Sequence, residues 1–286
     1  MQRPMTHSSC LCRAVRWDAD GPLQMMSHCH CSRCRKAHGS AFATYVGAPA
    51  DAVRLTGREH VGRWESSPGF FRYFCTRCGS VVPGDPWEGL VFLPAGCMDE
   101  DPGERPAAHI FVGSRAPWFE IHDDLPRFDA YPPGVDVPAQ PDLAPPEPAA
   151  TAPRGSCLCG GVTYLVEGSP ILARHCHCSR CRKARGAAHA TNLVTAADGV
   201  RFTRGTDLVV TYKVPEARFF SQAFCRSCGA PVPRIDRDRN LAIVPMGGLD
   251  DEPPLRPSQH IFVASKAPWY EIADALPQHD EFPPST

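Results

Sequence analysis

Hydrophobic and polar residues alternate over short stretches of this chain, a pattern typical of β-strands with one buried face. Val162, Tyr164 and Val166 alternate with more polar neighbours, and a second alternation runs from 208 to 214. Further short strands are predicted around 15–17, 42–46, 70–74, 90–93 and 109–112. No apolar stripe with helical spacing extends over about 12 residues. The chain is therefore predicted to be mainly β, with short antiparallel strands joined by glycine and proline turns.

An internal repeat divides the chain. Residues 28–37, with the sequence HCHCSRCRKA, recur unchanged at 175–184. We therefore predict two tandem domains, 1–131 and 154–286, packed as a pseudo-symmetric pair, a pseudo-dimer within one chain. The segment between them, 132–153, contains eight prolines and no aromatic residue, and is predicted to be a semi-extended spacer. The remaining matched cysteines are Cys10 and Cys12 with Cys157 and Cys159, and Cys75 and Cys78 with Cys225 and Cys228.

Composition limits the functions that fit. The formal net charge is −1, which gives no global electrostatic footprint for nucleic acid or for an acidic membrane. The first residues lack the apolar run of a signal peptide, and no stretch approaches the roughly 20 apolar residues of a spanning helix. We therefore expect a soluble cytoplasmic protein with neither membrane nor nucleic-acid partners. In a reducing cytosol, the 15 cysteines are expected to bind metal or to stay free thiols.

Four cysteines in each repeat form two pairs on separate turns, as a structural zinc site requires. Tetrahedral zinc prefers such sulfur ligands, and the bound ion would cross-link distant strands. Gly79 and Gly229 follow the second pairs, where a metal-binding turn often needs positive φ. Iron in a rubredoxin-like site is the alternative to zinc. The predicted ligands are Cys10, Cys12, Cys75 and Cys78 in the first repeat, and Cys157, Cys159, Cys225 and Cys228 in the second.

The other three matched cysteines of each repeat lie close together, which leaves a tetrahedral ion one ligand short. They are Cys29, Cys31 and Cys34, and in the second repeat Cys176, Cys178 and Cys181. Such an open site does chemistry or binds a ligand, unless a nearby histidine closes it. The histidines available in the first repeat are His28, His30, His38 and His109, and those in the second are His175, His177 and His260. We predict that His30 and His177 point away from the metal, and that Cys97 is a small buried hydrophobe.

Basic residues surround each three-cysteine group. Three thiolates on a dication leave one negative charge, so the ion is a weak activator of water but still accepts a fourth thiolate. An exogenous thiol that bears carboxylates could bind there and pair with the neighbouring cations. Alternatively, the cations only offset the charge of the metal sites. The candidate ligand-binding residues are Arg35, Lys36 and His38, and in the second repeat Arg182, Lys183 and Arg185.

Several motifs resemble those of the glutathione-dependent formaldehyde-activating enzyme family, which includes centromere protein V. They are CLC at 10–12, CHCSRCRKAHGSAFA at 29–43, FCTRCG at 74–79 and HIFVGSRAPWFEI at 109–121. The second repeat carries the counterparts CLCGG at 157–161, FCRSCG at 224–229 and HIFVASKAPWYEI at 260–272, with the same central block. The resemblance covers nearly everything except the linker.

The resemblance implies two zinc-stabilised β-tent domains, each with a structural zinc on the outer cysteine pairs and a catalytic zinc on the central three cysteines. It therefore implies four zinc ions per chain. The activity implied is that of a carbon-sulfur lyase, which joins glutathione or a similar thiol to a small aldehyde such as formaldehyde. A non-catalytic thiol carrier and a zinc scaffolding module are the alternatives.

Two positions depart from the pattern. Arg13 stands where the second repeat has Gly160, and if this position needs positive φ the first repeat carries about 1 kcal/mol of strain. Arg185 replaces His38, so the two three-cysteine groups are predicted to be chemically unequal. A histidine can exchange a proton near neutral pH, whereas an arginine stays charged and pairs with an anion.

Overall fold

Short strands make up most of the regular structure in the computed structural model, which describes residues 5–135, 137, 139–143 and 152–284. Within these residues the α-helices are α1 (Ser32–His38) and α2 (Ser179–Arg185), one in each half of the chain. The predicted mainly β fold is confirmed. No helix among these residues has the length and apolar character needed to cross a membrane.

The two halves repeat the same order of elements. The first half contains β1 (Thr6–Ser9), β2 (Arg16–Ala19), β3 (Gln24–Cys29), β4 (Ala43–Pro49), β5 (Val53–Thr56), β6 (Val61–Ser67), β7 (Phe70–Cys75), β8 (Leu90–Pro94), β9 (His109–Ile110) and β10 (Arg127–Phe128). The second half contains β11 (Arg154–Ser156), β12 (Thr163–Val166), β13 (Leu172–Cys176), β14 (Ala190–Thr195), β15 (Val200–Arg204), β16 (Val209–Lys213), β17 (Ser221–Cys225), β18 (Arg234–Asp236), β19 (Leu241–Pro245), β20 (His260–Ile261) and β21 (Gln278–His279).

Each half is built from three small sheets. The first half has a sheet in the order β1-β2-β5, a sheet in the order β10-β9-β3-β4-β8, and the hairpin β6-β7. The second half has β11-β12-β15, the hairpin β16-β17 and β18-β19-β14-β13-β20-β21, in which β18 is an addition. In both larger sheets the strand that ends at the first central cysteine pairs with one antiparallel and one parallel neighbour. This pairing fixes the start of each three-cysteine group at the centre of a sheet.

The hydrophobic core is shared between the halves. Trp17 and Trp118 from the first half belong to the same buried cluster as Tyr164 and Trp269 from the second. This cluster joins the two halves across their contact. The domain bounds 1–131 and 154–286 themselves stay a prediction.

Glycines allow the two halves to approach closely, and they do so reciprocally. A Cβ on Gly96 would lie 2.2 Å from the backbone N of Ala187, and one on Gly247 would lie 2.4 Å from the backbone N of Ser40. Real side chains do not tolerate such distances, so glycine is required at both positions. The reciprocal contacts are those of a pseudo-symmetric pair.

Candidate metal centres

The eight outer cysteines form two compact four-cysteine groups, one in each half. Cys12 Sγ lies 3.5 Å from Cys10 Sγ and 3.6 Å from Cys75 Sγ. In the second half, Cys159 Sγ lies 3.4 Å from Cys157 Sγ and 3.9 Å from Cys225 Sγ. A tetrahedron of sulfurs about 2.3 Å from a zinc ion has edges of about 3.8 Å. The sulfur spacing therefore fits zinc and is far too long for disulfides.

Local backbone geometry prepares these sulfurs to act as thiolates. The backbone N–H groups of Val15 and Val162 donate to Cys10 Sγ and Cys157 Sγ at 3.3 and 3.2 Å. Hydrogen bonding between the two thiols lowers the pKa of Cys12 and raises that of Cys10. Since a metal ligand must be the thiolate, the backbone N–H donors at Cys10 and Cys157 favour metal binding.

The turns that carry the outer pairs use the left-handed backbone conformation. Gly79 and Gly229 have φ of 75° and 73°, as the sequence predicted. Arg13 has φ of 60° where Gly160 has 69°, so the first half places a side chain in a conformation that costs about 1 kcal/mol.

The six central cysteines form the two three-cysteine groups, with the sulfurs of each group within 4.8 Å of one another. Cys29 ends β3, Cys31 is the N-cap of α1, and Cys34 lies in the first turn of that helix. The Cys31 sulfur accepts a hydrogen bond of 3.4 Å from the Cys34 backbone N–H, and Cys178 and Cys181 repeat this contact. A strand end and a helix start therefore bring three sulfurs together within six residues. Neither helix was predicted from the sequence.

No histidine joins either group among the described residues. The candidates are held elsewhere by short hydrogen bonds, and His30 and His177 are buried rather than at the surface. The three-cysteine groups therefore fit a zinc ion with one position left for another ligand. The contacts are His28 Nδ1 to Thr44 Oγ1 at 2.8 Å, His30 Nε2 to His109 Nδ1 at 2.8 Å, His38 Nε2 to Tyr45 Oη at 2.9 Å, His175 Nδ1 to Thr191 Oγ1 at 3.0 Å, and His177 Nε2 to His260 Nδ1 at 2.8 Å.

His38 and Arg185, the unequal pair, are both buried. His38 Nδ1 lies 2.6 Å from the Arg185 carbonyl oxygen, and burial lowers the pKa of His38 to about 3. This pKa argues against proton exchange by His38 near neutral pH, which was the role expected from its residue type. Burial lowers the pKa of Arg185 to about 10, so the guanidinium stays charged at neutral pH.

The two predicted ligand-binding lysines contact the opposite half instead of their own cysteines. Lys36 Nζ lies 2.5 Å from Asp250 Oδ1, and Lys183 Nζ lies 2.7 Å from Asp99 Oδ1. These ion pairs hold the halves together, and a role for either lysine in thiol binding stays a prediction.

The two predicted arginines of the same motif contact backbone carbonyls. Arg35 Nε donates to the His30 carbonyl at 3.3 Å, and Arg182 Nε donates to the Ser265 carbonyl at 3.2 Å. Ser265 lies in the second half with Arg182, whereas Arg182 Nη1 donates at 3.4 Å to the Gly96 carbonyl oxygen of the first half. Thiol binding by Arg35 or Arg182 also stays a prediction.

Arg72 and Tyr45 also lie beside the first three-cysteine group, and neither was predicted from the sequence. Hydrogen bonding with Cys29 lowers the pKa of the Cys34 thiol, and the Arg72 guanidinium beside it adds to this effect. Conversely, the charge of Cys34 raises the pKa of Arg72 above its ordinary value. Arg72 lies on β7, 38 positions along the chain from Cys34, so no local motif connects them.

Residues 141–143 of the linker contact the start of helix α1, beside the first three-cysteine group. Asp142 Oδ1 accepts a 3.1 Å hydrogen bond from the backbone N–H of Ser32, whose hydroxyl accepts one of 2.9 Å from Leu143 N–H. Arg33 also donates to the carbonyl of Pro141. Ser32 is buried as a result, whereas its counterpart Ser179 is exposed.

Cys97 lies outside all four groups, as predicted. It is fully buried, and burial raises the pKa of its thiol to about 12. Its sulfur lies 3.7 Å from the Val81 carbonyl oxygen and 3.6 Å from that of Lys183. These properties are those of a small core residue.

Comparisons with known proteins point to one family. The model of the family described as "Glutathione-dependent formaldehyde-activating enzyme" matches residues 5–114 and 152–265. An uncharacterized lyase of Schizosaccharomyces pombe, C29B12.13, is 32% identical over 79 residues, which span 28% of this chain and 56% of that protein. A crystal structure of a Rhodobacter sphaeroides protein is 27% identical, with a TM-score of 0.28, and the match covers 35% of this chain and 91% of that one. The family model matches the chain twice, once in each half.

Proposed function

Because the chain belongs to the glutathione-dependent formaldehyde-activating enzyme family in two tandem copies, we propose that it is a zinc-dependent carbon-sulfur lyase. Its substrates are glutathione or a related thiol and a small aldehyde such as formaldehyde. Each three-cysteine group is one reaction site, and each four-cysteine group is structural. The chain thus holds four zinc ions when fully loaded.

The observation that carries this proposal is the donor set of the three-cysteine groups. Three sulfurs converge within 4.8 Å, and none of the nearby histidines among the described residues takes the fourth position. A zinc ion held there would supply a site where a thiol binds as its thiolate, poised for an electrophile. The sulfur-rich ligand set favours a fourth sulfur over activation of water.

The residues of the chain set the geometry of this site. Cys31 and Cys178 cap the short helices, so their positions are fixed by the backbone N–H groups of Cys34 and Cys181. Burial of Cys29 and Cys176 at strand ends excludes water from one side of each group. A buried site strengthens the interaction between a bound anion and nearby cations.

The proposed reaction is the addition of the thiol to the aldehyde. The sulfur forms a bond to the carbonyl carbon, the carbonyl π pair moves to oxygen, and that oxygen receives the proton that the thiol lost. With glutathione and formaldehyde the product is S-(hydroxymethyl)glutathione. The reverse reaction breaks the same carbon-sulfur bond, as the class name lyase requires.

Exchange NMR tests the proposal, because the adduct also forms without an enzyme. The rate of interconversion between glutathione and its hydroxymethyl adduct is measured with and without the zinc-loaded protein. We expect acceleration by the wild type and by Cys97→Ala, and none by the double variant Cys31→Ser/Cys178→Ser. An unchanged rate with the wild type, under conditions where the thiol binds, would show a thiol carrier and refute the enzyme.

A further inference from the structure

The two three-cysteine groups differ in three neighbouring residues, and the differences are correlated. Around the first group the residues are His38, Tyr45 and Arg72, and the matched positions around the second are Arg185, Asn192 and Gln222. Each set of three thus includes one arginine, but in the first half it lies on hairpin β6-β7 and in the second on helix α2.

Strand register shows that Arg72 and Gln222 occupy the same place. Arg72 pairs with Trp64 in β6-β7, three residues before Cys75. Gln222 pairs with Tyr212 in β16-β17, three residues before Cys225. The Nε of Arg72 and the Nε2 of Gln222 are both buried without a hydrogen-bond partner. The two side chains therefore enter the interior at equivalent points.

His38 and Arg185 also occupy matched positions, and here the second half has the arginine. His38 Nε2 lies 2.9 Å from Tyr45 Oη, and Arg185 Nη2 lies 3.4 Å from Asn192 Oδ1, seven residues onward in both halves. Each side chain also lies over the glycine that ends the helix of the other half, His38 near Gly186 and Arg185 near Gly39. Arg185 is 6% exposed, and its Nη1 is buried without a partner.

From this placement we infer that Arg72 and Arg185 are equivalent positioning residues: each adds a buried guanidinium that helps to compensate the negative charge of its three-cysteine site. The guanidinium lies on hairpin β6-β7 in the first half and on helix α2 in the second. Three thiolates on zinc leave one negative charge, and a bound substrate thiolate adds a second, which a buried site tolerates only beside a cation. The guanidinium would thus favour a thiolate as the fourth ligand of a zinc ion held at the site. This role in thiol binding rests on the proposed function, whereas the role in metal retention does not.

The experiment removes the positive charge at position 72 and restores a positive charge at position 38. In full-length protein carrying Cys178→Ser, which leaves the first three-cysteine site as the open site studied, the variants are Arg72→Gln and Arg72→Gln/His38→Arg/Tyr45→Asn. The triple change copies the second half. Zinc affinity is measured by competition with a chelator, and glutathione affinity by the absorption of the cobalt-loaded protein. Thermal unfolding checks the fold of each variant.

We expect Arg72→Gln to lower zinc and glutathione affinity at this site roughly 10- to 100-fold, and the triple variant to recover most of both losses. A purely structural role would lower the melting temperature without changing zinc affinity in the folded protein, and would overturn the inference. So would a triple variant that binds no better than Arg72→Gln. If zinc affinity follows the inference while glutathione never binds the wild type, the charge compensation stands and the proposed thiol chemistry fails.

Discussion

Lys36 provides the sharpest test of how the two halves are held together. Its ammonium group lies 2.5 Å from Asp250 Oδ1 and 2.6 Å from Ser156 Oγ, both in the other half. The two charged side chains are only 7% and 6% exposed. Burial lowers the pKa of Lys36, and the charge of Asp250 opposes this shift. Replacing Lys36 by methionine keeps the side-chain volume and leaves Asp250 as a buried, unpaired charge.

The repeat supplies a matched control. Lys183 makes the equivalent contacts, 2.7 Å to Asp99 Oδ1 and 2.7 Å to Ser9 Oγ, but Asp99 is 45% exposed. Removing one partner of a buried pair costs about 3–5 kcal/mol. An exposed pair contributes only about 0–1 kcal/mol because solvent screens it. We therefore expect Lys36→Met to cost at least ~2 kcal/mol more than Lys183→Met.

Guanidinium unfolding in the presence of zinc measures both costs. In the Lys36→Met background, Asp250→Asn should recover part of the loss, because it removes the unpaired charge. Equal costs for the two lysine variants, or no recovery by Asp250→Asn, would refute the reasoning from burial.

Three further predictions concern strain, pH and access. Gly160→Arg should destabilise the protein by about 1 kcal/mol in denaturant unfolding because φ is positive there, and an unchanged midpoint would contradict the strain. Burial lowers the pKa of His189 well below its ordinary value, so stability should fall as pH drops below the unfolded value of about 6.5. His189→Phe, which copies Phe42 of the first half, should reduce this slope by up to about 1.4 kcal/mol per pH unit, and an identical slope would count against it. A chelator should remove zinc faster from the second three-cysteine site than from the first, where the linker contacts Ser32. Asp142→Ala should reduce the difference between the two removal rates. Equal rates in the wild type would show that the linker does not shield the first site.

Period-two alternation predicted strands near 15–17, 42–46, 70–74, 90–93, 109–112, 162–166 and 208–214, but it missed others, including β3 and β13. The repeated cysteines predicted the division into groups of four and three. The helix Ser32–His38 was missed because seven residues are too few to show an apolar stripe. Its boundaries did leave a signal, since Gly39 ends it with φ of 58° and basic residues fill its last turn. Short helices that begin at a metal ligand are better detected from such caps than from periodicity.

Long-range contacts explain the rest of what the sequence did not predict. Arg72 reaches the first three-cysteine group from hairpin β6-β7. Its counterpart in the second half is Gln222, so comparing the two repeats did not mark this position as functional. The basic motif next to the cysteines suggested ligand binding, but Lys36 finds its partner in the other half, at Asp250. Likewise, proline content predicted a spacer and could not show that Asp142 docks on Ser32.

The central claim is that each half holds one closed four-sulfur zinc site and one open three-sulfur site that takes a thiol. Zinc X-ray absorption spectroscopy tests it most directly, because it counts the sulfurs around each ion. For protein loaded with four zinc ions, the account predicts an average of about 3.5 sulfurs per zinc, rising to about 4 when glutathione is added. An average of 4 before any thiol is added, or no rise in its presence, would contradict the claim.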